Sequence, residues 1–566
     1  MTRLTNDPAD FPAEALKGFI AANKRYVKPV YGGVARSTFT PAGKVAVVYG
    51  GGSGHYPAFA GWVGHGFADG AVCGNIFSSP SAAQAYSVLK AVHRGAGVLM
   101  GFGNYAGDVL HFGQAIERLR AEGIEADTLV VTDDIASGDA AEPEKRRGIA
   151  GDFPVFKITS AAAEAGLGFD EVKRVFARAN AATRSFGVAF AGCTLPGAKG
   201  PLFTVPAGRM GIGLGIHGEP GVAEADLGSA DDVARTLVEG LLADRPAGAG
   251  NRVVAIVNGL GASKYEELFV VTSCVVARLE AAGLECADVE AGEFVTSLDM
   301  AGVSLTLVWV DDELLGYWDA PCDAPAYRKG SVGSVERDDA ALSQAAAPVE
   351  VTTPGSTASR ETAEVAAGLL DDVAEMLARA QEELGALDSV AGDGDHGIGM
   401  ANGSRAAAGA AHAAVSAGGG LRTTLTAAGD AWSNRAGGTS GALWGALLTA
   451  LGSALGDEKT PSSDDLAAAL QAALSAVQRL GGAEVGDKTL VDALSPFVAA
   501  FVATDGDLAA KSAAAVVAAE AGTESTRALV ARLGRARPLG EKSVGTPDPG
   551  AVSLTKVVTL LNSRLG

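Results

Sequence analysis

Residues 44–55 of this 566-residue chain read KVAVVYGGGSGH, an apolar run that passes directly into a glycine-rich loop ending in a histidine. A short continuous apolar run bounded by glycines is typical of a strand buried on both faces of a parallel sheet. In open α/β sheets, ligands collect beyond the carboxyl ends of such strands. The stretch therefore predicts an α/β fold, with a binding site at the loop that follows this strand.

The same arrangement recurs through the first 330 residues. Four further segments each begin with an apolar run and end in a polar or glycine-rich loop: 97–108, 128–135, 253–261 and 305–312. Strands of this kind, alternating with helical patterns, are typical of α/β architecture. Residues 1–330 are therefore predicted to form an α/β region whose ligand site includes the loops at 50–55 and 101–108.

The pattern changes twice after residue 330. Residues 331–358 are rich in proline, glycine and serine without hydrophobic periodicity, which predicts a linker. Residues 359–566 are rich in alanine and leucine, and Val365, Leu369 and Val373 begin an apolar stripe at helical spacing. The second half is therefore predicted to be an all-α domain.

Composition excludes several classes of protein. The formal charge of −21 argues against nucleic acid as a partner, because phosphate backbones would be repelled. The sequence has no run of about 18 apolar residues, so it predicts no membrane-spanning helix. The polar N-terminus does not resemble a signal peptide. The five cysteines form no CxxC pair, so we expect reduced thiols and a cytoplasmic location.

Three side chains in the first half suit catalysis. The motif Gly-Ile-His-Gly-Glu-Pro-Gly at 215–221 places His217 between glycines, where a ligand can approach closely. A histidine in a tight turn is the simpler interpretation, but an exposed imidazole also suits nucleophilic attack. The loop at 50–55 presents His55, and the loop at 101–108 presents Asp108. Together they predict one nucleophile and two acid/base groups at one pocket.

Carboxylates are concentrated in the second half. Asp388, Asp393 and Asp395 supply three oxygen ligands within eight residues. Mg²⁺ prefers a few carboxylates together with substrate phosphates, whereas an isolated acidic turn binds nothing. An EF-hand is excluded, because the twelfth position counted from Asp393 is Ser404 rather than glutamate.

Two glycine-rich loops in the second half suit phosphate binding. The loop at 436–441 offers backbone amides and two hydroxyls ahead of an apolar segment, and the loop at 539–550 carries Lys542. Neither is a Walker A loop, since no GxxxxGK[ST] sequence occurs. Together with the carboxylates, these loops predict a metal–nucleotide site on a different fold.

These motifs together resemble the ATP-dependent dihydroxyacetone kinase family in its single-chain form, over essentially the whole chain. The matching segments are 50–57, 104–108, 215–221, 392–397, 437–441 and 548–551. The resemblance implies a multidomain protein with an N-terminal α/β ketose-binding half of two α/β subdomains. It also implies a C-terminal all-α eight-helix barrel that binds the nucleotide, the cofactors ATP and Mg²⁺, a small ketose substrate and a homodimer.

The resemblance also assigns roles to residues. His217 would add to the substrate ketone to form a hemiaminal, with Asp108 as base for the attacking hydroxyl and His55 hydrogen-bonding the substrate. The implied substrate-binding residues are Gly52, Ser53, Gly54, His55 and Asp108, and the implied metal ligands are Asp388, Asp393 and Asp395. The implied nucleotide-binding residues are His396, Gly397, Ile398, Thr439, Ser440, Gly481, Lys488, Thr489, Lys542, Asp548, Pro549 and Gly550.

Departures from the family pattern bear on the substrate. Gly103 and Ala106 stand where the family usually has lysine and threonine, and Tyr56 and Phe59 replace a glutamate and a histidine. Loss of the lysine is expected to enlarge the pocket and suit a longer ketose. The altered pattern resembles the erythrulose kinase branch. The predicted function is therefore ATP-dependent phosphorylation of a terminal hydroxyl of erythrulose, with dihydroxyacetone as the alternative substrate.

Three other functions fit the sequence less well. A ketose-binding regulator would need neither the carboxylates nor the fused helical domain. A phosphotransferase-system kinase keeps its two halves on separate chains. A flavin-nucleotide cyclase side activity is not predicted by any residue. The sequence leaves open the enantiomer of erythrulose and which terminal hydroxyl is phosphorylated.

Overall fold

A computed structural model describes residues 4–219, 221–338, 340–344, 354–392, 394–534 and 536–564. The chain divides into two compact units, Met1–Ala346 and Ala347–Gly566, and each is described by itself. Within the described residues, every helix is too short or too polar to cross a membrane.

The first unit begins with a six-stranded sheet in the order β1-β2-β4-β3-β5-β6. Its elements are α1 (Phe11–Ala22), β1 (Val27–Val30), β2 (Gly33–Arg36), β3 (Ala46–Ser53), β4 (Gly70–Ile76), α2 (Ala82–Val92), β5 (Val98–Gly103), α3 (Ala106–Ala121) and β6 (Ala126–Val131). Strands β4, β3, β5 and β6 are parallel, and β1 and β2 form an antiparallel edge. Apolar residues of α2 and α3 pack on one face.

A second six-stranded sheet follows in the order β11-β10-β12-β7-β8-β9. The elements are α4 (Asp152–Glu164), α5 (Phe169–Ala181), β7 (Thr183–Ala191), β8 (Arg209–Ile212), β9 (Ala223–Asp226), α6 (Ala230–Ala243), β10 (Arg252–Gly259), α7 (Tyr265–Ala281), β11 (Glu285–Gly292), β12 (Ala301–Trp309) and α8 (Asp312–Asp319), with a small hairpin of β13 (Cys322–Asp323) and β14 (Arg328–Lys329). Among the pairings of this sheet, β10–β11 is parallel and the others are antiparallel.

Helix α4 lies in the interior of the first unit. All of its residues from Asp152 to Ala163 are buried. The core around it contains Val47 and Leu99 of the first sheet together with Ile256 and Val308 of the second. A helix that is apolar all round is expected to be buried in this way. The prediction of an α/β first half with two subdomains is confirmed, and α4 belongs to the core that they share.

Part of the segment predicted to be a linker lies along the first unit. The backbone N–H of Phe39 donates to the carbonyl of Glu336 at 2.8 Å, and that of Tyr31 donates to Ser343 at 2.9 Å. Residues 345–353 of the predicted linker lie outside the described residues.

The second unit is all-helical, as predicted. Its helices are α9 (Thr357–Arg379), α10 (Gln381–Asp388), α11 (His396–Ser416), α12 (Leu421–Ala436), α13 (Gly438–Leu455), α14 (Ser463–Gly481), α15 (Val491–Ala503), α16 (Leu508–Ser525) and α17 (Pro549–Ser563). Helices α9 and α11 to α17 each contact the next, and α17 returns to α9, so eight helices close a barrel. Among the described residues, the short α10 is a ninth helix. Alanine, leucine and the stacked rings of Trp432 and Trp444 fill the interior.

Candidate active site

The glycine-rich loops after β3 and β5 open at the same edge of the first sheet, because these two strands are parallel neighbours. His55 follows β3 by two residues, and Asp108 lies in the first turn of α3, which begins three residues after β5. Both side chains are buried. The topology thus places the two predicted acid/base groups at adjacent strand ends.

His217 joins His55 at this edge. The Nε2 atoms of the two rings are 3.0 Å apart, although the residues are 162 positions apart in the chain. The Nδ1 atom of His55 lies 2.8 Å from the carbonyl oxygen of Thr296. The ring of Phe77 stacks on His55, and the ring of Tyr105 meets His217 edge-on at 4.5 Å between centroids. The two imidazoles are therefore held in fixed orientations by aromatic walls and hydrogen bonds.

Glu219 orients His217. One carboxylate oxygen accepts the backbone N–H of His217 at 2.9 Å, and the other lies 3.2 Å from its Nδ1 atom. Arg147 lies 3.7 Å from the same carboxylate and donates two hydrogen bonds to Asp134. A Cβ atom at Gly215 would lie 2.1 Å from Glu219 Oε2, so the motif needs glycine at this position.

The hydrogen bonds fix the number of protons on the histidine pair. A carbonyl and a carboxylate only accept, so Nδ1 of His55 donates to Thr296 and Nδ1 of His217 donates to Glu219. The Nε2–Nε2 contact requires a third proton. With a proton at each of these three contacts, the pair would carry one positive charge next to the Glu219 side chain. One ring presents a lone pair and the other an N–H at the same point, a combination that suits addition to a carbonyl group.

The glycines expected to line the pocket allow close packing of the segment that follows β4. A Cβ atom at Gly52 would lie 2.6 Å from the backbone nitrogen of Ser78. Gly54 has φ of +104°, and a Cβ there would lie 2.8 Å from the Phe77 ring. The hydroxyl of Ser53 donates to the carbonyl of Gly74 at 2.7 Å and so ties β3 to β4.

Gly103, which is expected from the sequence to enlarge the pocket, is closely packed on the side where a Cβ atom would lie. A Cβ atom at Gly103 would lie 3.0 Å from the carbonyl oxygen of Gly148 and 3.2 Å from the Tyr105 ring. Backbone therefore occupies the space beside this glycine. Phe59 is buried in the core, and Tyr56 is half exposed against the ring of Phe19.

In the second unit, the N-termini of three helices meet at His396, the first residue of α11. Its Nδ1 atom lies 3.2 Å from the hydroxyl of Ser440 in α13, and its Nε2 atom lies 2.9 Å from that of Ser553 in α17. Burial lowers the pKa of His396, which favours the neutral ring. Helix N-termini carry unpaired N–H groups and partial positive charge, so this end of the barrel suits an anion.

Carboxylates lie next to these helix N-termini. Asp388 ends α10 and accepts the backbone N–H of His396 at 3.4 Å, and Asp395 directly precedes α11. Asp548 caps α17 through the N–H of Ala551 at 2.7 Å. Burial raises the pKa of Asp548 to about 7, and the charges of Asp388 and Asp492 add to the rise.

A divalent cation would offset the repulsion between the carboxylates of Asp388 and Asp548. These side chains therefore fit Mg²⁺ bound between carboxylates and phosphates. The predicted ligand Asp393 lies outside the described residues. The described part of the chain contains no group of three acidic, histidine or cysteine side chains placed to hold a metal ion.

The ammonium group of Lys488 contacts backbone carbonyl oxygens. Its Nζ atom donates to the carbonyl oxygens of Leu529, Ser543 and Thr546 at 3.1, 2.6 and 2.8 Å. A lysine has three N–H donors, so none remains for a phosphate in this arrangement. This lysine instead stabilises the loop that presents Lys542, whose side chain is exposed.

The other residues expected to contact a nucleotide occupy several elements of the barrel. Thr489 donates its backbone N–H to Asp492 at 2.8 Å, and a Cβ at Gly397 would lie 2.0 Å from the carbonyl of Gln381. Thr439 lies in the first turn of α13, Gly481 ends α14, Pro549 and Gly550 begin α17, and Ile398 is half-buried in α11.

Four residues of the first unit's site are not predicted from the sequence. Glu219 lies within the 215–221 motif, and its position two residues after His217 was a usable signal. Tyr105 lies within the 104–108 motif and could have been found in the same way, whereas Arg147 and Asp152 reach the site only through the packing of the segment after β6, which no local pattern indicates.

Comparison with known proteins identifies the family. The Dak1 domain matches residues 17–326, which is more than half of the chain, and the DAK2 domain matches residues 390–563. The crystal structure of the dihydroxyacetone kinase from C. freundii in complex with AMP-PNP and Mg²⁺ covers 100% of this chain and 99% of its own, with 29% identity and a TM-score of 0.54. The chain belongs to the dihydroxyacetone kinase family. The resemblance inferred from its motifs is confirmed.

Several members of this family are similar to the chain over nearly its full length. The D-erythrulose kinase of Mycolicibacterium smegmatis is 55% identical over 98% of this chain and 97% of its own. The L-erythrulose 1-kinase of the same organism is 54% identical over the whole of both chains. The L-erythrulose kinase of Pectobacterium atrosepticum is 50% identical over 100% of this chain and 97% of its own.

Proposed function

We propose that this protein is an ATP-dependent kinase that phosphorylates a terminal hydroxyl of erythrulose. The observation that carries the proposal is the buried His55–His217 pair, whose Nε2 atoms are 3.0 Å apart, with Glu219 3.2 Å from the Nδ1 atom of His217. Three family members at 50 to 55% identity are named as erythrulose kinases, which favours the four-carbon ketose. Dihydroxyacetone is the second candidate substrate, since the C. freundii relative at 29% identity is named for it.

The histidine pair supports covalent capture of the ketone. In the proposed step, the Nε2 lone pair of His217 attacks the carbonyl carbon, and the C=O π bond opens. The carbonyl oxygen takes the proton held at Nε2 of His55, and the Nδ1 proton of His217 passes to Glu219, which leaves a neutral hemiaminal. This addition selects ketoses over polyols such as glycerol, and it fixes the position of the terminal hydroxyl.

Asp108 is proposed to take the proton of that terminal hydroxyl as the oxygen attacks the γ-phosphate. Its carboxyl group is buried in the first turn of α3, at the strand edge that carries His55. A positioned carboxylate is a suitable general base for a hydroxyl in phosphoryl transfer.

ATP and Mg²⁺ are proposed to bind the second unit. Asp388, Asp393 and Asp395 would hold the metal, and the N-termini of α11, α13 and α17 would face the phosphates. When bound, Mg²⁺ neutralises charge on the phosphates during transfer. We also propose a homodimer and a cytoplasmic location.

A substrate panel tests the proposal. ATP consumption is measured with D-erythrulose, L-erythrulose, dihydroxyacetone and glycerol, because the two M. smegmatis relatives, at 55% and 54% identity, are named for opposite enantiomers. We expect one erythrulose enantiomer to give the highest kcat/KM and glycerol to give no turnover. Binding of a ketose without any ADP formation would contradict the kinase and favour a ketose-binding regulator.

A further inference from the structure

Two buried polar atoms beside the histidine pair have no hydrogen-bond partner among the described residues. They are the hydroxyl of Tyr105 and the Oδ1 atom of Asp152. Leaving a buried polar group unpaired costs roughly 1–3 kcal/mol, so such atoms need an explanation. Two of them within one site point to a ligand that supplies the missing partners.

Asp152 lies against the end of β5. It is the first residue of α4, and its side chain is almost completely buried. A methyl group at Gly148 would lie 3.0 Å from Asp152 Oδ1 and 2.4 Å from the Cα atom of Gly103. The unpaired oxygen is therefore a neighbour of the strand end from which the Asp108 loop starts.

Burial and the neighbouring charges favour the protonated, neutral form of Asp152. Burial raises its pKa well above the ordinary value, and the negative charges of Asp133 and Asp108 add to the rise. Asp133 is different, because its two oxygens accept the backbone N–H groups of Ile149 and Gly151 at 2.8 and 2.7 Å. Asp133 thus holds the loop, whereas the Oδ1 atom of Asp152 has no hydrogen-bond partner among the described residues.

Tyr105 brings the second unpaired atom to the nucleophile. Its ring meets His217 edge-on with 4.5 Å between centroids, and it lies 3.2 Å from the Cβ position of Gly103. Burial raises the pKa of Tyr105 well above its ordinary value, and the charge of Glu219 adds to the rise, so the phenol keeps its proton. The Tyr105 ring and the Gly148 backbone both adjoin Gly103, and Asp152 Oδ1 adjoins Gly148, so the two unpaired groups belong to one region of the fold.

We propose that the Asp152 carboxyl and the Tyr105 hydroxyl bind those hydroxyl groups of the ketose that do not receive the phosphate. The inference rests on the proposed function and names its specificity determinants. Each sugar hydroxyl both donates and accepts, so it can satisfy a neutral O–H group without bringing charge into a dry site. The pair selects an uncharged polyhydroxy chain, and the additional CHOH carbon of erythrulose offers one more hydroxyl group than dihydroxyacetone does.

The test compares single-atom and truncating variants. We expect Asp152→Ala and Tyr105→Phe each to raise the KM for erythrulose roughly tenfold to a hundredfold, as the loss of a buried hydrogen bond implies. The KM for ATP should stay within about twofold, since nothing in the second unit changes. Asp152→Asn keeps a donor of the same size and should keep KM within about fivefold of wild type. The loss should be larger for erythrulose than for dihydroxyacetone.

Ser160→Ala is the matched control. Ser160 is buried in the same helix but hydrogen-bonds Tyr49 at 2.7 Å, so its loss should lower the melting temperature without changing either KM. Ketose binding is also measured by calorimetry without ATP. If the wild-type protein binds a ketose but forms no ADP, the proposed kinase function is contradicted and the inference about Asp152 and Tyr105 is not. Unchanged ketose affinity in both Asp152→Ala and Tyr105→Phe, or equal effects on ketose and ATP, would overturn the inference. A wild-type protein that binds no short ketose would overturn both.

Discussion

At the level of single residues, His217 acquires its chemistry from its partners. An isolated imidazole in a glycine turn has no particular reactivity, and most such histidines are structural. Here Glu219 fixes the Nδ1 proton, and His55 places a shared proton at Nε2. In the proposed reaction, these groups would supply the nucleophile, the proton donor and the counter-charge within a few ångströms, in a buried setting where such interactions are strong.

The first prediction concerns His217 itself. We expect His217→Ala to lower ketose phosphorylation by about a thousandfold or more, since the captured hydroxyl loses its position. ATP affinity should be unchanged, because His217 belongs to the first unit. Coupled ADP detection and ATP titration calorimetry measure the two effects. The control is His412→Ala, because His412 is an exposed histidine that forms an ion pair with Asp371. Comparable turnover in the His217 variant would exclude the covalent role.

Among the secondary-structure elements, α4 is anchored at its C-terminal end by ion pairs. Its first residue is Asp152, and its last, Glu164, meets Arg36 at 2.7 Å and Lys44 at 3.4 Å. Arg36 and Lys44 flank the first sheet, so the ion network ties α4 to β2 and to the start of β3. Because α4 is buried between the sheets, a shift of this helix would move the loop that carries Asp152.

The second prediction concerns acid stability of the first unit. Burial alone would raise the pKa of Glu164, but Lys44 and Arg36 outweigh it and lower the pKa to about 2, from an ordinary value of 4.5. A depressed folded-state pKa stabilises the fold above pH 4.5, and that stabilisation is lost as the pH falls towards 2. We expect about 3 kcal/mol of unfolding free energy to disappear over this range.

Chemical denaturation at a series of pH values measures this loss. Glu164→Gln should be less stable at pH 7 and should show a flatter dependence below pH 4.5. Glu171→Gln, on the exposed surface of α5, should follow the wild type. An unchanged pH profile in Glu164→Gln would show that the ion network does not stabilise the fold.

The third prediction concerns the loop that precedes α17. Lys488→Met removes one charge and leaves three carbonyl groups without their donor. We expect the second unit to lose roughly 2–3 kcal/mol of stability and the KM for ATP to rise, because the loop loses its anchor. Thermal unfolding and ATP kinetics measure both. Lys459→Met, in an exposed pair with Asp465, is the control. A rise in KM for ATP at unchanged stability would instead indicate direct contact with the nucleotide.

Considering the molecule as a whole, the proposed reaction needs both units. The proposed ketose site lies in Met1–Ala346, and the helix ends that we propose bind the phosphates lie in Ala347–Gly566. The chain matches single-chain kinases from end to end, so these relatives also carry both units on one chain. A covalent link raises the effective concentration of one site near the other, provided that its length allows them to meet.

The fourth prediction tests the proposed homodimer. His217→Ala lacks the ketose nucleophile, and Asp388→Asn weakens the metal site of the other unit. If the helical unit of one chain serves the ketose unit of its partner, co-expression should restore about a quarter of wild-type activity through mixed dimers. Size-exclusion chromatography with light scattering checks the dimer. No recovery in confirmed mixed dimers would show that each chain works alone.

The two-part architecture and the family could be predicted from the amino-acid sequence. Apolar runs that end in glycine loops indicated the strands, and the alanine–leucine stripes indicated the barrel, because both signals depend on local periodicity. The candidate residues His217, His55 and Asp108 could also be predicted, because glycine-rich motifs of this length are specific.

The contacts that these residues make could be seen only in the folded chain. The 3.0 Å contact of His55 with His217, the carbonyl partners of Lys488 and the close packing at Gly103 all join segments distant in sequence. Side-chain hydrogen bonding and burial depend on which segments pack together, and that is set by the global fold rather than by any short stretch of chain. For the same physical reason, the two unpaired oxygens of Tyr105 and Asp152 became visible only in three dimensions.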